Sequence, residues 1–487
     1  MWIALLAVVM GVALAMDKTY TAQCRVREFV QPKDHFGFHP VQETFKQRVL
    51  INTKHFRRGH PIFFYFGNEA NVELYVEHSG LMWENAAKFG AALVFAEHRG
   101  YGKSQLCELD YFTTEQAMHD FASVITQLKQ EWGAGAVIGF GGSYGGMLAT
   151  AFRFHYPHLV DGVIAASAPV LSYLNMDPKY DSSGFAQIVT RDAGPKCAAM
   201  VRKELKYLYE LPGPDMRRKA KQEFKLCDAH GLSNLEFVEW LQSAWDYMAM
   251  GNFPYSSSYV QPNGGMLPAH PIQAACERLS QGGGLKSVAE LFYNATGDLD
   301  CFPLRQAELG LMGRTWRGGR EEKGCLTGSW GYQYCTNHLM PFSSGTSKDM
   351  FYPPTGEFNE RAASSECEKE FGVRPNAKWA VLSYGGLSGL QRGISNVVFS
   401  NGLLDPWSAG GVLSASGFAS SSVKVVLIPS GAHHIDLMFS HPDDPEDVKQ
   451  ARAQELAEIA AWIQQANHHQ PPVVAMRTMG DNLVQVN

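Results

Sequence analysis

At 487 residues the chain is longer than one compact core holds and suits one large domain carrying a second. Its 45% hydrophobic, 18% charged and 12% aromatic residues describe a folded protein and argue against a disordered or coiled-coil chain. A formal net charge of −6 lacks the basic surplus of a nucleic-acid binder.

Residues 1–15 are apolar, too short to span a bilayer comfortably, and end in Ala13-Leu14-Ala15, a small-x-small cleavage signature. They read as a signal peptide; the other reading is an uncleaved anchor. No later segment predicts stable membrane insertion. Nine cysteines follow, six of them between Cys197 and Cys335, and none has zinc-ribbon C-x-x-C spacing. With a signal peptide they predict disulfides in an oxidising compartment, and the odd number leaves at least one unpaired within the chain. Asn294-Ala295-Thr296 is a glycosylation sequon.

Apolar runs at 61–66 and 91–96 predict buried parallel strands. Thr113 and Gln116 suggest a capping box, ahead of Ala117, Phe121, Ile125 and Leu128 at helical spacing. A strand at 136–140, a Gly-rich turn, a helix from about Met147 to Tyr156 and a strand at 163–166 come next. The rhythm returns with strands at 396–400 and 423–428 and a helix from about Asp447 to Gln465. This alternation predicts an α/β fold, an α/β-hydrolase sheet domain formed by 24–170 and 378–466. Between them, 171–377 loses the strand rhythm. Its Ser233–Glu236 capping box and the stripe Val238, Leu241, Trp245 and Met248 predict an inserted, mostly helical cap domain. The tail 467–487 is polar.

Gly141-Gly142-Ser143-Tyr144-Gly145 matches G-x-S-x-G between an apolar strand and a helix, where a sharp turn exposes a serine hydroxyl. Such a nucleophile needs a base, and the base needs an orienting carboxylate. In the order serine, acid, histidine, Asp405 follows one late strand and the His433-His434 pair follows the next. Either histidine fits as base on position alone. Tyr144 and the Gly67-Asn68-Glu69 loop are candidate oxyanion donors. No metal motif is present and no cofactor is expected.

These motifs, with Phe63-Phe64-Tyr65-Phe66-Gly67-Asn68-Glu69, Val94-Phe95-Ala96-Glu97-His98-Arg99, Ser400-Asn401-Gly402-Leu403-Leu404-Asp405-Pro406-Trp407 and Gly431-Ala432-His433-His434-Ile435-Asp436-Leu437, resemble the lysosomal Pro-Xaa carboxypeptidase / dipeptidyl-peptidase II family. The resemblance runs from about residue 30 to about 465. It implies a serine exopeptidase of the lysosome or of secretion that cleaves short peptides on the carboxyl side of proline. His433 is then the base, beside Ser143 and Asp405. Met147 and Trp407, with His434 and Trp330 nearby, are expected against the substrate, and the resemblance is compatible with a homodimer.

Two branches differ in the end they attack. The dipeptidyl branch carries Asp in a W-D-Y-Q-A-C stretch, but here it reads Trp330-Gly331-Tyr332-Gln333-Tyr334-Cys335. Gly331 cannot pair with an ammonium, which favours the carboxypeptidase branch. The family's H-H-L-D-L-R ends here in Met438, and its H-R-Y-Y-G reads His98-Arg99-Gly100-Tyr101-Gly102. Rival readings are a lipase or esterase on the same fold and a non-catalytic binding protein.

Overall fold

A computed structural model describes residues 19–38, 43–106, 108–261, 264–304 and 330–469. The expected signal peptide, Cys107, Cys325 and most of the expected tail lie outside these residues. Eight strands form one sheet: β1 (Arg25–Pro32), β2 (Thr44–Asn52), β3 (Ile62–Phe66), β4 (Ala92–Ala96), β5 (Val137–Gly142), β6 (Gly162–Ala166), β7 (Val397–Gly402) and β8 (Val423–Ile428). Their order across the sheet is β1-β2-β4-β3-β5-β6-β7-β8. The β1–β2 and β2–β4 pairs are antiparallel and all others parallel. This is an α/β-hydrolase sheet.

Strands β3 to β7 are buried along their whole length, which is why they read as unbroken apolar runs. Helices α1 (Glu73–His78) and α2 (Gly80–Phe89) link β3 to β4, α3 (Thr114–Trp132) links β4 to β5, and α4 (Tyr144–His155) links β5 to β6. The Thr113 side chain caps α3 by accepting from the Gln116 amide. Gln116 does not close the expected box. Its side chain instead bonds the Asp34 carboxylate at 2.6 Å and the His35 amide at 2.8 Å.

Strands stop at Ala166 and resume at Val397. The connection carries α5 (Gly184–Glu210), α6 (Gly213–Gln222), α7 (Asn234–Met250), α8 (Pro271–Arg278), α9 (Gly284–Tyr293), α10 (Trp330–Thr336), α11 (Glu360–Phe371), α12 (Trp379–Tyr384) and α13 (Gly386–Gly393). Ser233 and Glu236 form the expected capping box at the start of α7. Disulfides Cys197–Cys276, Cys227–Cys301 and Cys335–Cys367 all lie in this connection. They close loops of 79, 74 and 32 residues, and loop closures of that size constrain the unfolded chain by about 3–5 kcal/mol each. Among the described residues Cys24 has no disulfide partner. A last helix, α14 (Glu446–His469), returns to the sheet. No helix of the described residues is long and apolar enough to cross a membrane.

Candidate active site

Ser143 stands between β5 and α4 with φ 59° and ψ −128°, a conformation rare for a residue with a side chain. The strain is held from both sides. The Ser143 amide donates to the Ala166 carbonyl of β6 at 2.9 Å, and its carbonyl accepts from the Met147 amide at 3.0 Å. Helix α4 begins at Tyr144, three residues earlier than the glycines suggested. The glycines are there for space. A Cβ on Gly145 would sit 2.9 Å from the Phe66 carbonyl oxygen, and one on Gly142 would sit 2.7 Å from the His434 ring.

Asp405 and His433 come from the turns after β7 and β8. The His433 Nδ1 lies 2.8 Å from Asp405 Oδ2, with both side chains sealed from solvent. A proton on Nδ1 satisfies that carboxylate and leaves the Nε2 lone pair free. The second Asp405 oxygen accepts from the Trp407 amide at 3.1 Å, which fixes the carboxylate plane. The His433 amide donates to the Met250 carbonyl at the end of α7, so the helical connection reaches this loop directly.

His434 has different partners. Its Nε2 meets the Tyr259 hydroxyl at 2.8 Å, its amide donates to Ser167 Oγ, and burial holds its ring neutral. Its ring lies 4.5 Å from that of His433 and against Gly142. Of the pair left open by position, His433 is the one that meets the Asp405 carboxylate. Where the family pattern has arginine, Met438 is buried. Arg452 of α14 supports the loop instead, donating to the Ile435 and Asp436 carbonyls at 2.9 and 3.1 Å.

Of the expected oxyanion donors, Gly67 is engaged: its amide donates to the Ala96 carbonyl at 3.0 Å. The amides of Asn68 and Tyr144 have no such bond among the described residues, and Tyr144 opens its helix, where amides lack intrahelical acceptors. The Tyr144 hydroxyl points the other way, into a cluster that spacing did not reveal. It meets His98 Nε2 at 3.1 Å, Thr114 Oγ1 at 3.3 Å and Gln333 Nε2 at 3.0 Å. His338 joins through Thr114 and Tyr173, at 2.9 Å each. Burial holds His98 down to about 4 and His338 down to about 3, so both are neutral here. Tyr101, from the departing His98–Gly102 stretch, donates to Gln333 at 2.5 Å.

Trp330 lies flat on His338, ring centroids 5.4 Å apart, and edge-on to Tyr144 at 5.1 Å. Trp407 meets the edges of Phe185 and Phe342 at 5.1 and 5.5 Å, and its Nε1 donates to Met250 Sδ. Met147, one turn into α4, is buried. Asn294 ends α9 half-buried, its Oδ1 accepting from Leu299.

A strained serine on an elbow and a buried Asp–His pair are the equipment of acyl transfer, and among the described residues no hydrogen bond yet joins Ser143 to His433. The family model described as serine carboxypeptidase S28 matches residues 31–455. The chain belongs to this family. Among its relatives, human "Lysosomal Pro-X carboxypeptidase" is 34% identical, over 92% of this chain and 89% of the relative. The Bos taurus protein of that name is also 34% identical, over 91% and 89%. Caenorhabditis elegans "Prolyl carboxy peptidase like protein 5" is 37% identical, over 89% of each. This S28 member is a serine-type peptidase on an α/β-hydrolase fold.

Proposed function

We propose that the chain removes one C-terminal residue from short peptides whose penultimate residue is proline. Ser143 Oγ attacks the prolyl carbonyl while His433 Nε2 takes its proton, and Asp405 holds the imidazolium that forms. The amides of Asn68 and Tyr144, with the positive end of α4, receive the oxyanion. Collapse breaks the C–N bond, His433 protonates the departing amine, and water then hydrolyses the acyl-serine by the same groups. The observation that carries this reading is the buried 2.8 Å bond between His433 and Asp405, in a chain whose elbow serine sits at φ 59°.

Proline specificity is supported by an apolar wall. Trp407 has its indole N–H occupied, so its ring faces are free of polar demand beside Phe185 and Phe342. A proline ring lacks an amide hydrogen and suits such a wall. Removal from the carboxyl end is supported by Gly331, buried in α10 beside Trp330. A carboxylate at that position would hold a substrate ammonium; glycine offers none. Residence in the lysosome or outside the cell is supported by the three disulfides and by the relatives' names.

The test is Ser143→Ala. Hydrolysis of an N-blocked tripeptide with central proline should fall by about 10⁴-fold or more at an unchanged melting temperature. Undiminished turnover would remove Ser143 from the mechanism.

A further inference from the structure

Glu69 has no task in the chemistry above, yet it adjoins the oxyanion donor Asn68. It is 5% exposed, and no Lys or Arg among the described residues pairs with it. Its Oε2 accepts from the Asn68 side-chain amide at 2.7 Å. Asn68 in turn lies along α4, because its Oδ1 is the side-chain atom that a Cβ on Gly145 would meet at 3.0 Å. The Glu69–Asn68 contact therefore sets the position of the loop that faces Tyr144.

The groups within electrostatic reach of Glu69 come from six different parts of the fold. They are Tyr65 of β3, Tyr75 of α1, Tyr101 after β4, Tyr144 of α4, Tyr259 after α7, and the base His433. The Tyr75 hydroxyl has no partner among the described residues. Five phenols and one imidazole make a polar but uncharged enclosure whenever His433 is neutral. A carboxylate there is poorly compensated, and its charge lies beside the position where the oxyanion forms.

We propose that Glu69 is a positioning residue that serves catalysis as the neutral acid: protonated, it holds Asn68 in place, and on ionisation it opposes the oxyanion and shuts hydrolysis down. Burial pushes its carboxyl up to about 7, so the transition falls between an acidic compartment and neutral surroundings. The sign follows from that direction. The neutral form dominates below about 7 and is lost as pH rises through it. A neutral Glu69 also offers no ion partner to a substrate ammonium, which agrees with attack at the carboxyl end. The inference rests on the site reading above.

The experiment compares kcat at pH 8 and pH 5 for the N-blocked tripeptide, in wild type and in Glu69→Gln. With a transition near 7, wild type keeps about a tenth of its acid-pH rate at pH 8. Glutamine stays neutral, so the pH 8 to pH 5 ratio should rise about tenfold. A purely structural Glu69 would change both rates together and leave the ratio alone, which would overturn the proposal. A fallen ratio would do the same, since it would mean that the carboxylate aids the imidazolium. Either failure, with Ser143→Ala inactive, leaves the site reading standing.

If the glutamine variant does not fold, wild type decides. Infrared difference spectra with and without a serine-directed peptide aldehyde should show a perturbed protonated-carboxyl band that disappears with a midpoint near pH 7. Absence of that band at pH 5 overturns the proposal.

Discussion

Asp405 performs two tasks with two oxygens. Oδ2 faces His433 Nδ1 and Oδ1 caps the turn at Trp407. Asp405→Asn separates them, because an amide keeps one oxygen for the cap but turns a donor toward the ring. The imidazole is then held in the wrong tautomer. We expect kcat to fall about 10⁴-fold with KM little changed and melting temperature nearly unaltered. A loss below tenfold would reduce Asp405 to a turn cap. That Ser143, Asp405 and His433 each follow a strand, and that Asp405 and the histidine pair lie after neighbouring strands, was legible in the sequence. The choice between His433 and His434 was not legible from spacing, since adjacent residues share a position and differ only in what they face. The cluster on the Tyr144 hydroxyl was hidden for another reason. Thr114, Gln333 and His338 lie up to 224 residues apart in sequence and meet only through the tertiary fold.

At the level of elements, strands made mostly of apolar residues were readable, β8 with an exposed face included, and strands rich in polar residues were not. The apolar runs at 61–66, 91–96, 136–140, 163–166, 396–400 and 423–428 became β3 to β8, each within two residues of its expected ends. Strands β1 and β2 escaped. β1 is an edge strand, largely exposed along its length, with Val26 and Val30 facing solvent, while β2 opens on Thr44-Phe45-Lys46-Gln47-Arg48. Polar residues inside β2 have tertiary partners instead of solvent: Gln47 accepts from the buried Gln31 side chain at 2.8 Å, and Arg48 pairs with Glu73 and Glu97. The start of α4 was misplaced because Gly145 and Gly146 carry poor helix propensity. A side chain at Gly145 would meet β3 and Asn68, and one at Gly146 would meet Ala166 at the end of β6 and Ala168 after it.

Across the whole molecule, two sets of buried groups act oppositely on stability. Burial raises the carboxyls of Glu69, Glu239, Asp246 and Glu455, whose folded forms keep protons that the unfolded chain loses from about 4.5 upward for Glu. Their contribution is complete below that value and is lost as pH rises through the folded values, about 7 for Glu69 and Glu239. Burial lowers the imidazoles of His78, His98, His338 and His434, which stay neutral while the unfolded chain takes up protons below about 6.5. Their contribution is complete above that value and is lost as pH falls. Between about 4.5 and 6.5 the two slopes oppose each other. Calorimetry should give a flat-topped melting temperature across that window and a decline on both sides. A melting temperature that climbs steadily from pH 5 to 8 would show that the buried carboxyls are paired with cations in solution.

One digestion tests whether a single C-terminal residue is removed after proline. Two peptides with an internal proline are incubated with the protein at pH 5, one blocked at its amine and the other at its carboxylate, and the products are weighed by mass spectrometry. The amine-blocked peptide should lose its last residue, after proline, and the carboxylate-blocked peptide should stay intact. Release of an N-terminal Xaa-Pro dipeptide from the second peptide, with the first untouched, would contradict C-terminal removal.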